Sequence, residues 1–207
     1  MRFILFIEGQ TEEALPGFLK RWLDPRLPSR VGIKTICFKG LHKYYSGIKS
    51  QVDLNLASNS RKEIIAAIGL IDLYGPTFYP SGVTEPAGRY TWAKKHLEQR
   101  VGHPKFRQHF AVHETEAWLL ADPEALPREI RNTLPAKISR PEAINFNEPP
   151  ASLLNRVYRE RLGKGYRKTI DGPNLFQSLS PDRAYEKCPA LKALLDDMLS
   201  LAQQALR

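Results

Sequence analysis

The chain has 207 residues, 42% hydrophobic and 26% charged, which suits one folded domain of ordinary size and excludes wholesale disorder. No apolar run approaches the roughly 18–20 residues that span a bilayer, which excludes a helical membrane protein. A formal net charge of +9 makes a polyanionic partner the natural expectation, because Lys and Arg facing phosphates release condensed counterions.

Taken in order, the chain alternates short apolar runs with helical spacing. Arg2–Ile7 is a short, almost uniformly apolar run, as expected of a parallel strand covered on both faces. It lacks a small-residue cleavage site and leads into acidic residues, so it reads as a strand and not a signal peptide. Thr11 precedes Glu12 and Glu13 as a helix N-cap. Ala14, Leu15, Phe18, Leu19, Trp22 and Leu23 then recur at helical spacing until Pro25 and Pro28. Ile33–Phe38 is a second strand, and residues 41–57 form a helix burying Tyr44, Tyr45, Ile48, Val52 and Leu56. Ile64–Leu73 is the clearest apolar run, followed by a loop rich in proline and glycine over 76–88 and a helix over 89–101. Phe106–His113 is a fourth strand. Further helices are expected over 150–162 and 189–206. Strands separated by helices predict an α/β layer with a mainly parallel sheet. The expected organisation is an α/β core over 1–125 and a mostly helical C-terminal extension over 126–207 packed on it, or one single domain. Cys37 and Cys188 are too few for a disulfide framework or a four-cysteine zinc site, which points to the cytoplasm.

The positive charge is concentrated. Residues 14–61 hold nine Lys and Arg against Asp24 and Asp53. Arg156, Arg159, Arg161, Lys164, Arg167 and Lys168 stand against Glu160. Either a nucleic-acid surface or an ordinary solvated basic face fits these clusters. His42, His96, His103, His109 and His113 lack zinc-ligand spacing. Trp22, Trp92 and Trp118 read as core residues.

Acidic residues follow three of the predicted strands. Glu8 ends the first, with Glu12 four residues on; Asp72 ends the third; Glu114 and Glu116 follow the fourth. Such ends are where open α/β sheets bind ligands. Unpaired carboxylates gathered there would repel one another and raise their own pKa values. A hard divalent cation, Mg²⁺ or Mn²⁺, relieves that repulsion and takes oxygen ligands. The alternative is that the glutamates favour helix starts or are merely solvated.

Glu8-Gly9-Gln10-Thr11-Glu12 after a hydrophobic strand resembles the opening motif of the Toprim (topoisomerase–primase) fold. The resemblance is to the Toprim domains of overcoming-lysogenization-defect (OLD) nucleases and to small stand-alone Toprim-like bacterial proteins. It implies a Rossmann-like α/β fold with Glu8 and Glu12 at a metal site. The family's Asp-x-Asp is met by Asp72 but departs at Tyr74, which puts a second metal in question. The segment His113–Trp118, with Glu114 and Glu116, is similar to the next acidic element, and 166–173 to a C-terminal pattern in which Lys168 stabilises charge on a transferring phosphate. The resemblance therefore implies a Mg²⁺- or Mn²⁺-dependent nuclease acting on DNA or RNA, tRNA included. Its implied partner is an ABC-type or OLD-like ATPase, in anti-phage defence. A non-catalytic Toprim-like module that binds nucleic acid or a partner is the alternative.

Overall fold

The computed structural model describes residues 1–9, 14–57, 63–134, 138–143 and 148–207. Four apolar segments form the sheet: β1 (Arg2–Ile7), β2 (Gly32–Cys37), β3 (Ile64–Asp72) and β4 (Phe106–Ala111). They pair only in parallel, in the order β2-β1-β3-β4, with Ile7 opposite Leu70 and Asp72 opposite Ala111. Around the sheet lie α1 (Leu15–Leu23), α2 (Leu41–Ala57), α3 (Pro86–Val101) and two short segments, α4 (Glu116–Leu119) and α5 (Arg128–Arg131). The chain continues through α6 (Pro150–Leu162), α7 (Asp171–Ser178), α8 (Pro181–Lys187) and α9 (Pro189–Ala205). The mainly parallel α/β layer expected from the sequence is present. Thr11 and Glu12 lie outside the described residues.

Side chains alternate across a strand, and here both faces are covered. Phe3, Leu5 and Ile7 pack with Phe18 of α1 and Leu191 of α9. Ile4 and Phe6 pack with Tyr44 of α2 and Leu97 of α3. Covering both faces is why β3 is apolar at every position until Asp72. Each fully buried Leu, Ile or Phe contributes roughly 1.5–3 kcal/mol, so the strands' ends are held rigidly.

Proline sets several helix starts, because its missing N–H costs nothing in the first turn. α3 opens at Pro86, ahead of the expected residue 89, and α6 and α9 open at Pro150 and Pro189. Gly102 and Gly163 close α3 and α6 at φ of +68° and +64°, where a side chain is disfavoured. Two buried polar residues fasten α9. His109 on β4 hydrogen-bonds Asp197 through Nε2 at 2.9 Å. Glu142 accepts from the N–H groups of Ala190 and Leu191 at the start of α9, and from Trp118 Nε1 at 3.1 Å. No helix among the described residues is long and apolar enough to cross a membrane.

Candidate functional site

From β1 the chain moves to β2 on one side and then to β3 on the other, so the order reverses between β1 and β3. That reversal opens a crevice beyond their C-terminal ends. Glu8 follows β1 directly and Asp72 is the last residue of β3. The turn after Glu8 is pinned from below: the Glu8 carbonyl accepts from Gly40 N at 2.9 Å, and Cys37 Sγ donates to the Gly9 carbonyl at 3.4 Å.

β4 delivers two more carboxylates. His113 adopts φ of +67°, uncommon for a non-glycine residue, and turns the chain into Glu114, Thr115 and Glu116 at the start of α4. Glu116 is almost wholly buried. Lys168, from the loop before α7, places Nζ 3.5 Å from Glu114 Oε2 and 3.5 Å from Glu116 Oε1. Its charge is also felt at Glu8 and Asp72. Lys168 therefore joins Glu114 and Glu116, far away in sequence, and lies within electrostatic reach of Glu8 and Asp72.

The lysine is held by its neighbours. Asp171 Oδ2 accepts from Arg167 N at 2.8 Å, and its carboxylate also receives the Arg167 guanidinium at 3.3 Å, which clamps the loop. Glu114 Oε2 accepts from Ala151 N at 3.1 Å, tying the cluster to the first turn of α6. Sequence reasoning did not single out Asp171, although its i,i+4 spacing from Arg167 was a readable signal. Tyr166 gave none. Its ring packs edge-on to Tyr158 at 5.5 Å, and its buried hydroxyl has no hydrogen-bond partner among the described residues.

The electrostatics follow from burial and proximity. Burial raises the pKa of Glu8, with Lys168 pulling against it. Burial alone would lower that of Lys168, but Glu116, Glu114 and Asp72 outweigh it and hold the ammonium charged. Burial likewise lowers that of His113, against the opposing pull of Glu114.

Does this centre suit a divalent cation? The donor type does. Glu8 Oε2 is buried without a hydrogen-bond partner among the described residues, and carboxylate oxygens are the ligands Mg²⁺ and Mn²⁺ prefer. The spacing does not: among the described residues, no three His, Cys, Asp or Glu are grouped so as to hold an ion.

Tyr74, two residues after Asp72, stacks on His113 with centroids 5.0 Å apart. These rings, with Asp72, Gly75, Glu114 and Pro149, line a cleft of about 240 Å³. Trp22 and Trp118 are buried as expected, but Trp92 is only half-buried. Its ring stacks on His96 and packs against the core from its edge. The basic cluster at 156–168 is also less available than its sequence suggests. Arg156 is paired with Glu148 and Glu160, and Arg167 with Asp171, which leaves Arg159, Arg161 and Lys164 to solvent.

The family model described as "Domain of unknown function (DUF4276)" matches residues 7–199. The chain belongs to that family. Among solved structures, this DUF4276 chain is similar to the C-terminal region of the Burkholderia pseudomallei OLD protein. Identity is 15%, over 99% of this chain and 98% of that one, with a TM-score of 0.47. No curated protein matches the sequence.

Proposed function

We propose that this chain is a Toprim-type, metal-dependent nuclease that hydrolyses phosphodiester bonds in DNA or RNA. The observation that carries the reading is that Lys168 pairs with Glu114 and Glu116 beside the ends of β1 and β3, where Glu8 and Asp72 stand at the reversal of strand order. Glu8 and Asp72, with Glu12, would hold Mg²⁺ or Mn²⁺, and Glu114 and Glu116 complete the acidic wall. The chemistry such an ion supplies is charge stabilisation at phosphate oxygens and an acidified water.

The chain's own residues do the rest. Lys168 carries a fixed positive charge at the mouth of the site, where it faces an incoming phosphate and offsets the growing charge on its oxygens. Glu114 and Glu116 orient that lysine, and the Arg167–Asp171 clamp limits its travel. Incubation with plasmid, single-stranded DNA and total tRNA in Mn²⁺ tests the reading; cleavage by wild type and none by Glu8→Ala supports it. An ATPase partner and a role in anti-phage defence are proposed on the sequence resemblance, and co-purification with an ATPase encoded nearby checks them.

A second reading has its own support. Tyr74 replaces a metal-ligating aspartate and is fixed against His113, as suits a non-catalytic module that binds nucleic acid or a partner. Mn²⁺ separates the two readings, because a ligand that binds only the folded state raises its melting temperature, and EDTA should reverse that rise for the nuclease.

A further inference from the structure

A continuous track of rings and arginines leaves the carboxylate centre at Tyr74. The Arg89 guanidinium lies 5.3 Å from the Tyr74 ring centroid and 5.0 Å from that of Tyr79. Tyr79 touches Trp92 at 6.1 Å, and Trp92 stacks on His96 at 4.6 Å with planes 13° apart. His96 is in turn parallel to Tyr45 at 6.0 Å and 9°. Arg100 ends the track, 4.4 Å from the Tyr45 centroid. Phe78 fills the middle, stacked on Tyr45 at 5.0 Å.

Three features distinguish this track from ordinary core. Its rings come from α2, α3 and the loop between β3 and α3; they pack on the edge of the core yet stay partly exposed where the core itself is sealed. Two arginines lie over its rings, Arg89 between Tyr74 and Tyr79 and Arg100 at the Tyr45 end. α3 itself carries Arg89, Lys94, Lys95 and Arg100 against Glu98 alone. His96 Nε2 hydrogen-bonds the Tyr45 hydroxyl at 3.0 Å, which fixes the ring in the track, and burial and Arg100 lower its pKa.

Partly exposed aromatic rings interleaved with arginines are what unpaired bases and their phosphates bind, since every base offers a π-face and every linkage a negative charge. Duplex bases are already stacked and cannot offer those faces. We propose that the track from Tyr74 to Arg100 is a stacking platform for single-stranded nucleic acid leading to the carboxylate centre. The choice of ligand class rests on the nuclease reading above.

Intrinsic fluorescence tests it, because Trp22 and Trp118 are buried and Trp92 is not. The titration uses the whole chain in EDTA, where the nuclease reading predicts no cleavage, with dT and U oligomers and a duplex of equal length. The platform predicts quenching by at least one single strand and weaker binding of the duplex. Trp92→Phe should abolish the quench while changing affinity less than about threefold, since phenylalanine still stacks. Arg100→Glu, at an exposed position, should weaken single-strand binding about tenfold. The dT and U arms distinguish DNA from RNA, and a quench by either supports the platform. Binding without a quench, preference for duplex, or wild-type affinity in Arg100→Glu overturns it. Quenching without Mn²⁺-dependent cleavage would leave the platform standing and remove the nuclease; cleavage without quenching would do the reverse.

Discussion

Lys168 Nζ stands 3.5 Å from Oε1 of Glu116, a carboxylate whose side chain is only 2% exposed. A buried anion that loses its counter-charge is left uncompensated, and that costs more than the pair contributes. Lys168→Met should therefore destabilise the fold by about 1–3 kcal/mol, less than for a fully buried pair because the ammonium reaches solvent. Adding Glu116→Gln should recover part of that loss. Urea unfolding of both variants checks it; a double mutant less stable than Lys168→Met alone would contradict the pairing.

The same lysine separates two roles in kinetics. If Lys168 faces the reacting phosphate as proposed, Lys168→Ala should lower turnover at saturating nucleic acid by roughly 10²-fold with little change in binding. Wild-type turnover at saturation with weaker binding would return it to the basic surface.

Glu8 gives a stability prediction of opposite sign. Its folded pKa is raised by burial, so its contribution is full below the ordinary carboxylate value of 4.5 and is lost as pH rises through the higher folded value. Glu8→Gln should melt above wild type at pH 7, and the gap should close by pH 4. A variant that melts below wild type at pH 7 would mean that the carboxylate is compensated after all.

His109 works the other way. Burial holds it neutral despite the hydrogen bond to Asp197. With fewer protons bound in the fold than in the unfolded chain, its contribution is full above pH 6.5 and falls as pH drops below that value. His109→Gln should flatten this acid slope in melting curves, even if it lowers stability overall.

The strands were legible because burial on both faces leaves continuous apolar runs, as in Ile64–Asp72. Helix 41–57 was legible from Tyr44, Ile48, Val52 and Leu56. The acids were legible from their places after strands. What could not be read is how those places meet: Lys168 reaches Glu116 only once α6 has packed against α4, and no local pattern encodes that. α7 went unread because Gly172 and Pro173 look like a turn, whereas both fit a helix's first turn. Trp92 does pack against the core as read, but helical spacing does not show that it stays partly exposed. Glu12, expected beside Glu8, lies outside the described residues.

Gly69 shows packing at its tightest. A Cβ there would lie 2.1 Å from Tyr44 Oη and 2.5 Å from Gln108 Oε1, two atoms that hydrogen-bond each other at 2.7 Å. Gly69→Ala should cost about 1–3 kcal/mol by overpacking, measured by urea unfolding; a neutral result would mean that this layer repacks freely.

The most direct measurement is cleavage of single-stranded DNA, plasmid and tRNA in Mn²⁺ by wild type, Glu8→Ala and Asp72→Ala, each checked for folding by circular dichroism. The account predicts cleavage by the wild type, suppressed by EDTA, and none by either folded variant. Full activity in both variants, or no cleavage of any substrate by the wild type with and without the proposed ATPase partner, would contradict it.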